Sequence, residues 1–549
     1  MTMLRIALGV GLLFFAWSCS EDTEGSSNNS NGTTDTPDMG LTSASDATST
    51  DTGVVSADTA MTQPDEGMVD TTPPPPAYPE PGDWEPNAGP GAPTVTFPEE
   101  MLFGNCAYLS GGETDFTQHH NLAVMYDGYL LLPWAPESGS GGFTFFDISD
   151  PCNPQVAGAG LSTTMRETHS IGFSSTNGRW AVVNQIASIF EGGIQFWDVS
   201  DSTAPEAVAD LALEGFLYPD AYARVVLSVF WQAPYVYVAH ADLGVIIVDA
   251  ADPTAPEVVG SYPFEPVLRA GQIHAIGNLL IVTAAEGPRV ALLDISDPSA
   301  PQPIPGGDFL ITDDEGEPVE AYFSNTGNGY TYHARKEAGG GVIIYDIHDP
   351  TQPTRIGALR SEGNGGYVFV KDTYAFVGES DFGTVYDIAD MDNIVEVGRF
   401  NLIGDLDTVT PIGNIAIVSV DDKGEGDRGS SIAPWTPEPD STPPRVTWIW
   451  PADGAERLDV RSRFGLTFNE MIDVKSAWDG SVRLFDADLG PQEGKVEGHI
   501  SVQENIVNFW PAEPLQPGRR YTLAIPAGGI VDYNGNPIEE SFEASFSTL

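Results

Sequence analysis

The sequence predicts an all-β protein: a seven-bladed β-propeller, with six blades as the alternative count, followed by an Ig-like β-sandwich and preceded by an export signal and a disordered linker. Three observations predict it. Six segments in the middle of the chain repeat one strand-and-turn pattern. Long stretches of helical period are missing, while Gly (59) and Pro (44) are abundant among 549 residues. Short alternating strands between Pro, Gly and Asn turns fill the C-terminal part. A fixed period of this size outranks other sequence evidence for fold.

Residues 1–18 carry one positive charge, Arg5, and an apolar stretch from Ile6 to Trp17. That stretch is too short to cross ~30 Å of hydrocarbon as a helix and suits the core of a signal peptide. It ends in Ala16-Trp17-Ser18-Cys19, which resembles a bacterial lipobox. The resemblance implies that Cys19 takes a thioether-linked diacylglycerol and becomes the mature N-terminus, and Ser20 after it implies sorting to the outer membrane or cell surface. Ala16 and Trp17 depart from the Leu and small residue usual there. An ordinary small-x-small cleavage at the same bond is the alternative. Residues 19–92 follow as a linker of Ser, Thr, Asp, Gly and Pro, with Pro73 to Pro76 in a row. This composition buries too little apolar surface to offset its ordering entropy, and its acidic charge keeps it extended.

The chain has 79 Asp and Glu against 23 Lys and Arg, a net charge of −56. Phosphate binding needs a basic footprint, so nucleic acid is excluded as a partner. An anionic lipid surface is disfavoured too, which leaves the lipid anchor as the membrane contact.

The propeller is assigned to residues 93–438. Its repeats include Gly193-IQFWDVSDSTAP, Gly244-VIIVDAADPTAP and Gly341-VIIYDIHDPTQP. The first Asp of each repeat falls at Asp147, Asp198, Asp249, Asp294, Asp346 and Asp387, in steps of 51, 51, 45, 52 and 41 residues. A second Asp follows three residues on in all six, and a Pro seven on in five of them. Gly permits a turn into a strand that is apolar on both faces. Asp then bonds nearby backbone N–H groups, and Pro stops the sheet from running on. Two more strand-like pieces lie upstream of each Asp and one downstream, giving the four strands of a blade. Regular recurrence marks these aspartates as structural rather than calcium-binding.

The segment Val245-Ile-Ile-Val-Asp249 resembles the LVIVD repeat. The resemblance spans about residues 100–435 and implies β-propellers of bacterial and archaeal surface proteins, with no common activity. After the sixth repeat, Leu406-DTVTPIGNIAIVSVDD and Ser430-SIAPW supply part of another blade. A strand from Thr94 to Leu109 is expected to complete it and close the ring. Of three Cys, one is assigned to the lipid, leaving Cys106 and Cys152. In an exported protein such a pair reads as a disulfide.

Residues 439–549 read as the sandwich. Pro451-x-Asp-Gly, Phe468-Asn-Glu-Met471, Leu515-x-Pro-Gly and Gly529-x-x-Asp532-x-x-Gly535-Asn-Pro537 resemble bacterial Ig-like domains of the S-layer or "Big" type. The resemblance implies a spacer or adhesive module.

Propeller ligands sit at the channel mouth, in the loops before each innermost strand. Register places His119, His120, His169, Arg224, Gln272, Glu320, Asn364, Asp405 and Asp407 there. His119, His120 and His169 with Glu320, Asp405 and Asp407 form a candidate metal set, since imidazole suits transition metals and carboxylates suit calcium. The alternative is unrelated polar residues around a water-filled channel. His274 and His333 fall within the inner strands and read as packing or solvent-facing residues. The acidic runs Asp313–Glu317 and Asp421–Asp427 lack the EF-hand spacing. No nucleophile elbow, phosphate loop or HExxH motif is present.

The leading expectation is a non-enzymatic, monomeric surface lipoprotein that binds protein or glycan, without a cofactor. A metal-dependent exported hydrolase or lactonase-like enzyme with its site at the mouth, and a structural envelope or adhesion protein, are the alternatives.

Overall fold

The aspartate that ends each repeat strand acts on the backbone beside it. The computed structural model describes residues 78–549 apart from 110–120, 136–139, 175–178, 186–191, 214–225, 337–338 and 421–428. In it Asp147, Asp198, Asp249, Asp294, Asp346 and Asp387 each accept the backbone N–H two residues on, at 2.8–3.1 Å. The second aspartate of each repeat accepts, through its carbonyl, the N–H three residues on. The two turns reverse the chain at the end of the strand. The signal segment, Cys19 and the linker up to residue 77 lie outside the described residues.

Four antiparallel strands make each repeat unit, and seven such units follow one another. Units 1 to 6 span residues 124–162, 171–212, 228–262, 270–310, 321–360 and 368–400. In unit 5, for example, Ala321–Gly327 pairs with Tyr330–Arg335, then Gly341–Asp346, then Thr354–Arg360. The third strand is buried on both faces, as in Gly341–Asp346, because units pack face to face. In all six units the pairing of third and fourth strands slips just before the aspartate, by one residue in five of them and by three in unit 4. Such a bulge adds twist to the outer strand. Unit 7 comprises Thr408–Ile412, Ile415–Ser419 and Ser430–Pro434, and its fourth strand is Ala107–Leu109 from the start of the domain. Leu109 pairs with Ser430 and Ala107 with Ile432, so the last edge is covered. Cys106 and Cys152 form a disulfide that ties this closing strand to unit 1. A loop of 46 residues corresponds to about 4 kcal/mol in the chain-entropy account.

The C-terminal domain stacks two sheets. Val446–Trp450, Phe464–Phe468, Ile506–Pro511 and Gly498–Gln503 form one, and Lys495–Val496, Arg483–Asp486, Arg520–Ile525 and Phe542–Ser547 the other. Phe464, Leu466, Val507, Phe509, Leu523 and Ile525 fill the space between.

This domain is not a spacer standing clear of the propeller. Ser501 and Val502 pair with Ser174 and Phe173, so its first sheet continues the sheet of unit 2 into eight strands. From there the domain meets the turn between first and second strands of unit after unit. Ser501 Oγ accepts Ala233 N of unit 3. Asn508 Oδ1 accepts Gly277 N of unit 4 at 2.8 Å. Thr467 Oγ1 accepts Asn328 N of unit 5, and the Asn469 carbonyl accepts Asp372 N of unit 6. Lys475 binds Asp127 of unit 1 at 2.8 Å. In unit 7, Gly413 at φ +60° has Asn534 where a side chain would stand. Arg463, fully buried, donates to Gln232, to the Tyr237 hydroxyl and to the Ile295 carbonyl, and lies 3.9 Å from the Trp510 ring. Apolar cores run across the same boundary: Val502 packs with Phe173, Trp448 and Ile506 with units 3 to 5, and Met471 with Phe323.

Residues 78–92, expected as linker, are held along this junction. Tyr78 donates to the Leu484 carbonyl, Arg483 to that of Pro79, and Asn87 to Asp473. Ala88 N and Gly91 N bond Asp127 Oδ1 and the Gly128 carbonyl. Hydrogen bonds to both domains, rather than an apolar run, order this Pro- and Gly-rich segment.

Replacing Arg463 with Ala strands the Tyr237 hydroxyl and the Ile295 carbonyl in the junction, and is expected to cost about 2–4 kcal/mol. Urea unfolding followed by tryptophan fluorescence measures this. A loss below about 0.5 kcal/mol, typical of a surface site, would show that the junction is not formed.

Candidate functional site

Each innermost strand runs from the mouth of the channel toward the Ig-like domain, so residues just before these strands lie at the end away from that domain. His169 precedes the strand Ile171–Ser174. Its backbone N–H and that of Ser170 both donate to Asn184 Oδ1, which fixes the loop. His169 Nε2 lies 2.9 Å from Glu167 Oε1, and Asn121 Nδ2 donates to the same oxygen at 2.8 Å. The imidazole meets Phe323 and Tyr367 edge-on, with centroids at 5.1 and 6.0 Å. Those two rings, from units 5 and 6, stack at 4.0 Å. A histidine of unit 2 therefore packs on the first strands of units across the ring.

Asp407 enters from unit 7. Its carbonyl accepts Tyr367 N at 2.8 Å, and Gly366 and Gly378 leave no room beside it for a Cβ. Its carboxyl is pushed up to about 6, first by burial and then by the neighbouring Asp405, against the opposing pull of Lys336 and His169. The side chain is half-buried by area. Lys336 of unit 5 stands 3.9 Å over the Tyr322 ring and 3.9 Å from Glu286.

The structure therefore gathers His169, Asp405 and Asp407, with Glu167, Asn121 and Lys336 beside them. The last three were not picked out from the sequence. Glu167 carried a readable signal, two residues before His169 in the same loop. Glu320 is exposed at the rim and gives its carbonyl to Lys336 N. Gln272 lies beside His274, with Nε2 atoms 3.4 Å apart, and the Asn364 carbonyl accepts Ser380 Oγ. His119, His120, Arg224 and the run from 421 to 427 lie outside the described residues. His274 and His333 are fully buried. Burial, with His274 nearby, holds His333 down to about 3, so it is neutral. His274 lies 3.7 Å from Glu504, which the Ig-like domain supplies.

Among the described residues, the ligand-type side chains brought within 4.8 Å of one another in a set of three are Asp440, Glu470 and Asp532, at the domain junction and not at the mouth. An ammonium already serves them: Lys371 lies 2.5 Å from Asp440 and also bonds Glu470 and Asp372. Burial pushes Glu470 up to about 8 against the pull of Lys371, with Asp532 and Asp440 adding to the rise. Burial likewise raises Asp532 to about 6. Asp440 stays below the ordinary range, because Lys371 outweighs its burial. Several carboxyl groups share one ammonium, and Glu470 keeps the proton.

Residues 440–548 match the family described as bacterial Ig-like domain, and residues 228–263 match the LVIVD repeat. Both are typical of extracellular bacterial proteins. Among the described residues no helix is long and apolar enough to cross a membrane. No curated protein matches the chain. Similar solved structures include the periplasmic gluconolactonase of Pseudomonas aeruginosa, 12% identical, over 56% of this chain and 85% of that one, at a TM-score of 0.42. BamB from Moraxella catarrhalis is 12% identical over 60% of this chain and 96% of its own, at 0.38. The β-propeller domain of Cps50 (Swd1) from Myceliophteria_thermophila is 12% identical over 59% and 99%, at 0.42.

The junction cluster gives a pH dependence of known sign. An unfolded Glu loses its proton near pH ~4.3, whereas folded Glu470 keeps it to about 8. Between these values the folded state binds more protons, so this group's contribution to stability falls as pH rises. Glu470→Gln is expected to flatten the decline in denaturation midpoint between about pH 5 and pH 8. An unchanged slope would mean that Glu470 is ionised in the folded protein.

Proposed function

We propose that the chain is an exported bacterial surface lipoprotein, anchored through Cys19, whose propeller binds a cell-surface protein or glycan at the channel mouth without catalysing a reaction. One observation supports this reading: the Ig-like domain covers the turn face of the propeller unit by unit, so the loops that carry His169, Asp405 and Asp407 lie at the end of the channel that this domain does not cover. Polar groups from units 2, 5 and 7 come together there. The chain joins the described body at Tyr78, on the Ig-like domain.

A metal-dependent hydrolase at the same mouth is the second reading, favoured by His169 lying with Asp405 and Asp407. Purified protein without stoichiometric metal would remove it.

Fractionation tests the anchor. Cys19→Ala is expected to move the protein from the membrane fraction to the soluble exported fraction, and retention in the membrane would contradict the anchor. Immobilised wild-type protein is expected to retain a surface component that the Asp407→Ala variant, folded to the same extent, does not. Equal retention by both would place binding elsewhere.

A further inference from the structure

The junction cluster has the parts of a condensation site. Lys371 ends the first strand of unit 6, and Asp440 is the first residue of the Ig-like domain. Both side chains are 7% exposed, and that of Glu470 beside them is 5% exposed. Lys371 Nζ lies 2.5 Å from Asp440 Oδ2, yet that buried oxygen accepts no hydrogen bond. The amine therefore touches the carboxyl group without aiming an N–H along a lone pair. Its aligned bonds go to Glu470 Oε2 and Asp372 Oδ2. Asp440 Cγ is one bond behind the touched oxygen, and a near-attack geometry places reacting atoms about 3–3.5 Å apart. Glu470 is equipped to move protons between the two groups. It accepts from Lys371 Nζ, a hydrogen bond joins it to Asp440, and Asn469 Nδ2 holds its Oε1 at 3.0 Å. Burial pushes Glu470 up to about 8, so it carries a proton at neutral pH.

We infer that Lys371 and Asp440 condense into an amide, a covalent cross-link between propeller unit 6 and the start of the Ig-like domain, with Glu470 as the proton relay. The reactants are an ammonium and a carboxylate. Attack needs the nitrogen lone pair, so a proton leaves Nζ as the bond from Nζ to Cγ forms. The two protons that the nitrogen loses pass through Glu470 to one Asp440 oxygen. The bond from Cγ to that oxygen breaks, and the oxygen leaves as water. Glu470 ends in the protonation state in which it began, and no oxidant or further reactant is consumed. Groups held in this way react as though at about 10⁵–10⁸ M. The amide is neutral, so the step removes two charges that are costly to bury. A pocket of about 240 Å³ lined in part by Lys371, Asp440 and Trp435 gives the water a way out. Glu470 and Asp372 are the rival acceptors for the amine, but each takes an aligned N–H from Nζ, which turns the nitrogen lone pair away from it. The cross-link is independent of what the mouth binds.

Tryptic digestion of the denatured full chain, followed by tandem mass spectrometry, tests it. The expected product is a branched peptide joining the segments that carry Lys371 and Asp440, one water lighter than the two combined, with no cleavage after Lys371. Two separate linear peptides, cut after Lys371, overturn the proposal, because an ion pair does not survive denaturation. A branch from Lys371 to Glu470 or Asp372 overturns the assignment of Asp440. The wild-type map decides by itself, so the test stands even where a variant fails to fold. Asp440→Ala and Lys371→Arg are expected to remove the branched peptide. Glu470→Gln, folded as judged by circular dichroism, is expected to leave Lys371 and Asp440 unlinked, since a positioned proton-transfer group contributes about 10²–10⁴-fold in rate. A full yield of the branched peptide in that variant overturns the relay. A merely structural role of Glu470 would alter the melting temperature without altering the peptide map.

Discussion

The hairpin of Gly498–Gln503 and Ile506–Pro511 meets backbone groups that the propeller's innermost strands leave unpaired at one end of the channel. Gln503 accepts Trp231 N and donates to the Val229 carbonyl, Asn505 donates to Thr326, and Asn508 both accepts from Gly277 and donates to Ala275. Side-chain amides suit this work because each carries donor and acceptor together. Backbone groups buried without such partners would be costly. The covering of the channel, the order of the strap at residues 78–92 and the presentation of the mouth all follow from this docking.

Two lysines of this acidic chain are placed where carboxylates are buried at the junction. Lys371 serves Asp440, Glu470 and Asp372, and Lys475 serves Asp127. Removing one partner of a buried pair leaves an uncompensated charge, so these few lysines hold the junction together. At the mouth, Lys336 faces the Tyr322 ring and Glu286. Within the described residues, part of the net charge of −56 thus falls on turn aspartates that bond their own backbone and part on the carboxylates gathered at the junction and at the mouth.

Much of the propeller was legible because its devices are local. An aspartate that caps the next two residues, and a proline that stops a strand, work within one repeat. His169, Asp405 and Asp407 were legible by register, while their meeting with Asn121 and Lys336 depends on closure of the ring and leaves no spacing to read. The junction was the least legible part. Arg463, Gln503 and Asn508 look like ordinary surface polars of a sandwich, and nothing in sequence pairs Asn508 with Gly277. Phe468-Asn-Glu-Met471 was readable as a family motif, but its use of Asn469 and Glu470 against Asp372 and Lys371 needs the partner domain in place. The strap was missed for a related reason: its order comes from hydrogen bonds to two surfaces and not from its own composition.

Propeller and Ig-like domain form one cooperative body through a shared sheet and shared cores. Differential scanning calorimetry of the full chain tests it most directly. A shared sheet and shared cores predict a single transition, with calorimetric and van't Hoff enthalpies in agreement. Two separable transitions, with the Ig-like domain melting at its own temperature, would contradict it.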